Sequence, residues 1–242
     1  MVGGVTMETK HEPGRKRKPM IRLVHVTRSY PGGVRALDDV SLDIADREFV
    51  AVTGPSGCGK STLMHLIGGL DTPTAGEVNV NGIALHSAGD AQLTQYRRRS
   101  LGIVFQFFNL LPTMTVLENV SLPLLLAGTA LKPAQAAAHA WLERVSLAHR
   151  AGHFPHQLSG GEMQRTAIAR ALVHQPAVLL ADEPTGNLDS GNAAQVMETL
   201  QKIASQRLCT MVIVTHSDEV ARIPDRTIVM RDGRIVPQSS PS

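Results

Sequence analysis

Residues Gly54, Pro55, Ser56, Gly57, Cys58, Gly59, Lys60 and Ser61 run consecutively and fit the pattern G-x-x-x-x-G-K-[ST]. Glycines at these positions let backbone N–H groups turn toward phosphate oxygens, and a helix beginning at Lys60 adds the partial positive charge of its N-terminus. Lys60 is expected to reach the β- and γ-phosphates of a nucleoside triphosphate, the Ser61 hydroxyl to bind Mg2+, and Thr62 to support the phosphates. Cys58 occupies a loop position that tolerates any small side chain, so it is read as a loop residue and not as a nucleophile.

More than a hundred residues downstream, Asp182 ends an apolar run and Glu183 follows it directly. Adjacent carboxylates at the C-terminal end of a buried strand stand where open α/β sheets place their ligands. Asp182 is expected to hold hydrated Mg2+, and Glu183 to orient and deprotonate an attacking water. Between the two motifs lies Leu158-Ser159-Gly160-Gly161-Glu162. Ser159 with Glu162 three residues later is a capping-box pattern, and the glycines leave backbone N–H groups open to an anion. A chain that already has a phosphate loop has no local need for a second phosphate grip. A head-to-tail pair of identical chains does, each lending its serine and helix terminus to the other's γ-phosphate.

These residues need a parallel sheet to carry them. Phe49-Val-Ala-Val-Thr-Gly54 is a nearly continuous apolar run, followed by helix-forming residues to about Ile67: strand, loop, helix. Ala177–Asp182 and Thr210–His216 read as further buried strands, the second after a helical pattern from about Asn192 to Gln206. Ahead of them, Ile21–Val26 and Val40–Ile44 alternate around a Pro31-Gly32-Gly33 turn, as a half-exposed antiparallel sheet does. From roughly 106 to 160 the pattern becomes Ala- and Leu-rich and helical. The fold class is therefore α/β: a phosphate-loop nucleoside triphosphatase (RecA-like) core, an antiparallel β subdomain and an inserted helical subdomain, forming one domain over residues 21–242.

Composition agrees with that size and class. The 242 residues are 43% apolar and 19% charged, enough to bury a core. Aromatics make up only 3%, which disfavours a base-stacking nucleic-acid platform. The net charge of +3 belongs to residues 1–20, where five basic side chains meet two acidic ones; the remainder holds 19 of each sign. That basic segment is read as a disordered, solvated tail, with contact to anionic lipid as the alternative, and the balanced body gives no reason to expect a nucleic-acid partner. Two cysteines make no disulfide framework. The apolar stretch Leu110–Leu131 is broken by Pro112, Glu118, Asn119 and Pro123, so no membrane span is expected. Arg97, Arg98 and Arg99 read as a solvated helix face, and His153 and His156 lack partners at metal-ligand spacing.

In order and spacing, the phosphate loop, Leu-Ser-Gly-Gly-Glu, Leu-Leu-Ala-Asp-Glu-Pro, Leu188-Asp189 and His216 resemble the ABC-type ATPases over about residues 21–236. That resemblance implies ATP as ligand, a homodimer, and a separate integral membrane permease with this chain peripheral on the cytoplasmic face of the inner membrane. It also implies four residue roles: Tyr30 stacks on adenine, Gln106 senses Mg2+ and water and links core to helical subdomain, Asp189 couples the two sites of a dimer, and His216 contacts the γ-phosphate. Ala-Asp-Glu-Pro-Thr-Gly-Asn-Leu-Asp-Ser and the segment Val104–Leu124 further resemble the branch for lipoprotein release and macrolide export (LolD and MacB) and for cell division (FtsE). Glu162-Met163 stands where that branch often has paired glutamines. Export or lipoprotein-type extraction is the expectation; the alternatives are FtsE-like signalling without cargo and a soluble, non-transport ATPase. Import ATPases for sugars usually carry an extra C-terminal regulatory domain, and none is expected in the 26 residues after His216. The apolar residues from Phe107 to Leu126 have two readings: core of the helical subdomain, or a surface receiving a coupling helix of the permease.

Overall fold

The structure is a computed structural model that describes residues 19–236; most of the basic segment, residues 1–18, lies outside the described residues. Its last two residues open β1 (Pro19–Ser29), which pairs antiparallel with β2 (Arg35–Ala45). Val40, Leu42 and Ile44 are buried and Ser41 and Asp43 exposed, as a period of two requires. β3 (Phe49–Thr53) leads through the phosphate loop into α1 (Lys60–Ile67). β4 (Ala75–Val80) and β5 (Ile83–Ala84) complete a four-stranded sheet in the order β2-β1-β4-β5. Only Val78 and Val80 of β4 are buried, too short an alternation to mark a strand in the sequence.

The chain continues through α2 (Asp90–Arg99), β6 (Leu101–Val104), α3 (Val116–Leu126), α4 (Leu131–Arg144), α5 (Gly160–Leu172), β7 (Val178–Asp182), α6 (Ser190–Ser205), β8 (Thr210–Val214), α7 (Asp218–Ala221), β9 (Arg226–Arg231) and β10 (Arg234–Val236). A six-stranded sheet has the order β10-β9-β3-β8-β7-β6, parallel from β9 to β6, with β10 antiparallel at one edge. The stretch expected to be helical holds α3, α4 and the approach to α5, with no strand between Gln106 and Ser159.

Alternation divides the central strands between two apolar clusters. Val50, Val52, Val178, Leu180, Val212 and Val214 face α1 and the antiparallel sheet. Phe49, Leu179, Ala181, Met211 and Ile213 face the opposite side, with side chains of α3 to α6. Because β3, β7 and β8 are covered on both faces, they read as continuous apolar runs, and this is why they were the most legible elements. α3 begins with its own capping box: Thr115 Oγ1 accepts the Glu118 N–H while the Glu118 carboxylate accepts the Thr115 N–H. Asn119, fully buried, closes the loop before it by accepting the Leu111 N–H and donating to the Leu111, Met114 and Thr115 carbonyls.

Candidate functional site

The C-terminal ends of four neighbouring strands bring together the residues expected to carry chemistry. Across the sheet in the order β3, β8, β7, β6 they release Gly54, His216, Glu183 and Gln106. β3 and β6 are successive parallel strands in the chain, yet β8 and β7 lie between them, so the chain reverses direction across the sheet and opens a crevice at this edge.

The phosphate loop is shaped for backbone exposure. Gly59, the N-cap of α1, has φ 105, and a Cβ there would run into the Ala36 carbonyl oxygen, so no other residue fits. No side chain caps α1, which leaves the N–H groups of its first turn available to an external anion. Lys60 is buried, and its Nζ donates to the carbonyl oxygens of Gly54 (2.8 Å) and Pro55 (2.9 Å). The ammonium is thus folded over the loop it is expected to serve. Pro55, Ser56, Gly57 and Ser61 are exposed and Thr62 is half-buried, while Cys58 is buried with its Sγ 4.0 Å from Lys60 Nζ.

The paired carboxylates have different surroundings. Burial pushes the Asp182 carboxyl above its ordinary range, the neighbouring Glu183 charge adds to this, and His65 and Lys60 pull it back. Glu183 has φ 44, a left-handed conformation unusual for a glutamate. Its backbone N–H continues the sheet by donating to Val214 O (2.9 Å), and its side chain turns to His216. Glu183 Oε1 lies 2.8 Å from His216 Nδ1, and Oε2 accepts the His216 N–H at 3.3 Å. The contact joins the expected base to the expected γ-phosphate ligand. Their separation of 33 residues hides it in the sequence.

Gln106, half-buried after β6, is held by a residue that sequence reasoning missed. Its Nε2 donates to Asn187 Oδ1 (3.2 Å), and Asn187 Nδ2 donates back to the Gln106 carbonyl (3.1 Å). Gln164, buried in α5, donates to the Phe105 carbonyl next door (3.2 Å). Asp189 is the N-cap of α6: its carboxylate accepts the Asn192 N–H (2.9 Å) and side-chain amide (2.6 Å), and these bonds lower its pKa.

At the start of α5 the capping box is present. Ser159 Oγ accepts the Glu162 N–H (3.3 Å), and Glu162 Oε2 accepts the Ser159 N–H (2.8 Å). Arg150 Nε binds the other Glu162 oxygen at 2.8 Å. The two glycines also have a packing role: Gly160 lies against Leu188, and a Cβ on Gly161 would run into the Asn192 side chain. The start of α5 therefore abuts the Asp189 segment. Among the described residues no hydrogen bond or ion pair joins Ser159–Glu162 to the phosphate loop.

Tyr30 follows the end of β1, and its N–H closes the next turn onto Val34 O (2.9 Å). The Phe107–Leu126 stretch is part buried and part exposed. Val120 is fully buried, whereas Phe107 is 72% exposed and Leu126 63%. Leu126 lines a groove of about 420 Å³ with Leu122 and Phe105, and Arg97, Arg98 and Arg170 also border it. No described helix is long and apolar enough to cross a membrane.

A model of the ABC transporter family matches residues 37–186. The chain is 48% identical over 220 residues to the lipoprotein-releasing system ATP-binding protein LolD of Geobacter metallireducens, covering 90% of this chain and 98% of that one. The LolD protein of Bacteroides fragilis is 44% identical over 217 residues, 90% of this chain and 100% of the other. The dimeric structure of the ATP-binding cassette MJ0796 bound to ADP and Pi superposes with a TM-score of 0.81 at 43% identity, covering 89% of this chain and 96% of that one.

Proposed function

The chain belongs to the ABC transporter family as an ATP-binding, ATP-hydrolysing subunit, and on that premise we propose that it closes as a homodimer around two Mg-ATP molecules to drive a separate membrane permease. The work is export or extraction of the lipoprotein-release kind, with this chain peripheral on the cytoplasmic face of the inner membrane. One observation carries the reading: phosphate loop, paired carboxylates, His216 and Gln106 share one sheet edge, while Ser159–Glu162 forms a self-satisfied helix cap that, among the described residues, is bonded to none of them.

The donor set fits Mg2+. Asp182 is a half-buried carboxylate whose ionised form is disfavoured by burial and by Glu183, so a nearby cation stabilises it. Ser61 and Gln106 would supply neutral oxygens for the same ion. When bound, the ion neutralises charge on the phosphate oxygens. Lys60 exchanges the Gly54 and Pro55 carbonyls for the β- and γ-phosphates, and Gly54–Thr62 line the triphosphate. Tyr30 offers its ring to adenine. Glu183 accepts a proton from water as the new P–O bond forms and the bond to ADP breaks, and His216 orients Glu183 and faces the γ-phosphate. Ser159, Gly160, Gly161 and Glu162 of the second copy close over that phosphate, and Asp189 links the two sites.

Affinity of the closed pair for ATP above that of open chains is what converts binding into motion. The exposed Phe107 and the groove lined by Leu122 and Leu126 support docking of the permease beside Gln106. Capture of tagged Glu183→Gln from its native membranes with Mg-ATP tests the partner. Co-purification of an integral membrane protein with an extracytoplasmic domain is the expected result. Recovery from the soluble fraction with ribosomes, DNA or only its own copies would contradict it.

A further inference from the structure

Tyr30 is held by two side chains. Its hydroxyl donates to Asp71 Oδ2 at 2.8 Å, and the same oxygen accepts Arg28 Nε at 2.9 Å. Arg28 Nη2 lies 2.7 Å from Asp71 Oδ1, which also accepts the Thr72 N–H at 2.8 Å. The carboxylate thus receives four donors, about all that its lone pairs accommodate. Above this fork the Arg28 guanidinium carbon sits 4.6 Å from the centre of the Tyr30 ring and covers one face. The Arg28 and Asp71 side chains are 23% and 20% exposed, so solvent screens the pair less than an ordinary surface bridge.

The location matters as much as the contacts. Asp71 lies four residues beyond Ile67, the end of the helix that the phosphate loop opens. The adjoining backbone is stitched to the same strand: the Ser29 N–H donates to Thr74 Oγ1 (3.0 Å), and the Thr74 N–H donates to Thr27 O (2.8 Å). One carboxylate therefore connects the aromatic ring to the chain leaving α1.

We propose that Arg28 and Asp71 are positioning residues for nucleotide binding. They hold the Tyr30 ring with one face covered and the other presented to adenine, and fix that ring relative to the phosphate-loop helix. The inference rests on Tyr30 being the adenine platform. A ring already fixed loses less freedom when the base stacks on it, so the fork favours the bound state without touching nucleotide.

The test is a double-mutant cycle read by calorimetric ADP binding, with KM and kcat for ATP alongside. Tyr30→Ala should weaken ADP about tenfold or more, in the range of a lost base stack. Asp71→Asn and Arg28→Met should each weaken ADP by about threefold to tenfold when Tyr30 is present, a typical coupling between contacting side chains. Neither change should weaken it further in the Tyr30→Ala background, and the loss should appear in KM more than in kcat. Tyr30→Phe, which keeps the fold and removes only the hydroxyl, should show a smaller loss of the same kind, and Arg28→Lys should restore part of the Arg28→Met loss. Unchanged ADP binding by Tyr30→Ala would overturn the adenine-platform reading and the inference with it. A loss in Tyr30→Ala, with equal losses from Asp71→Asn whether or not Tyr30 is present, would overturn the inference alone.

Discussion

Two glycine-rich helix starts in this chain solve the same electrostatic problem in opposite ways. α1 begins at a glycine in the left-handed region with no side-chain cap, and only the folded-back Lys60 lies over its loop. α5 begins with Ser159 and Glu162 satisfying each other, and Arg150 secures the glutamate. The first is left open for a ligand that the same chain must bind. The second is complete before any ligand arrives, and its serine hydroxyl still has a proton to donate. A preformed end of this kind suits a site that meets its phosphate only when another copy closes on it.

The comparison breaks most severely at α1. Lys60→Ala removes the only cation hydrogen-bonded into the loop among the described residues, and ATP turnover should fall by about a hundredfold or more, comparable with loss of a charge-stabilising donor. Steady-state hydrolysis measures it, and wild-type turnover would show that the loop is not the phosphate site. Ser159→Arg should leave ATP binding by a single chain intact while opposing closure by bulk and an unpaired charge. Its turnover should drop about tenfold or more, with loss of cooperativity in ATP, because the closing surface would have to accommodate an uncompensated charge. Normal cooperative hydrolysis by this variant would speak against a composite site.

The smallest effect sharpens the comparison through stability. Burial pushes the Glu162 carboxyl up, but the Ser159 N–H and Arg150 outweigh it, so its pKa in the folded chain is lowered. A lowered folded pKa means that the cap stabilises above the unfolded value of about 4.5 and that this contribution disappears as pH falls through the folded value. Glu162→Ala should therefore lower stability at pH 7 by about 1 kcal/mol, near the usual worth of a cap. The difference from wild type should shrink below about pH 4.5, as thermal melting across pH would record. No acid-sensitive counterpart is expected at α1, whose start has no carboxylate in its first turn.

The sequence disclosed those parts whose logic is local. β3, β7 and β8 are buried on both faces and so appear as apolar runs, and both helix starts carry their chemistry within a few residues. β4, β9 and β10 escape the sequence reading because each buries only two residues or fewer, and β4 and β9 also pair with β1 and β3 far back along the chain. The site was hidden in the same way: nothing near Gln106 announces Asn187, and nothing near Glu183 announces that it will meet His216. Arg28 was the more accessible omission. It stands two residues before Tyr30, the spacing that puts side chains on one face of a strand, but Asp71, which completes the fork, is 41 positions from the tyrosine. In the sequence, glycines 160 and 161 point only to open N–H groups; their closeness to Leu188 and Asn192 depends on how α5 and α6 pack.

The central claim is that one chain holds a complete phosphate loop and half of a second grip. Sedimentation of purified Glu183→Gln with and without saturating Mg-ATP tests it most directly, because loss of the base allows ATP to bind while slowing its removal by about a hundredfold to ten-thousandfold. A shift from monomer to dimer on adding Mg-ATP, abolished by adding Ser159→Arg, is the predicted result. A variant that binds Mg-ATP at full stoichiometry and stays monomeric would contradict the account.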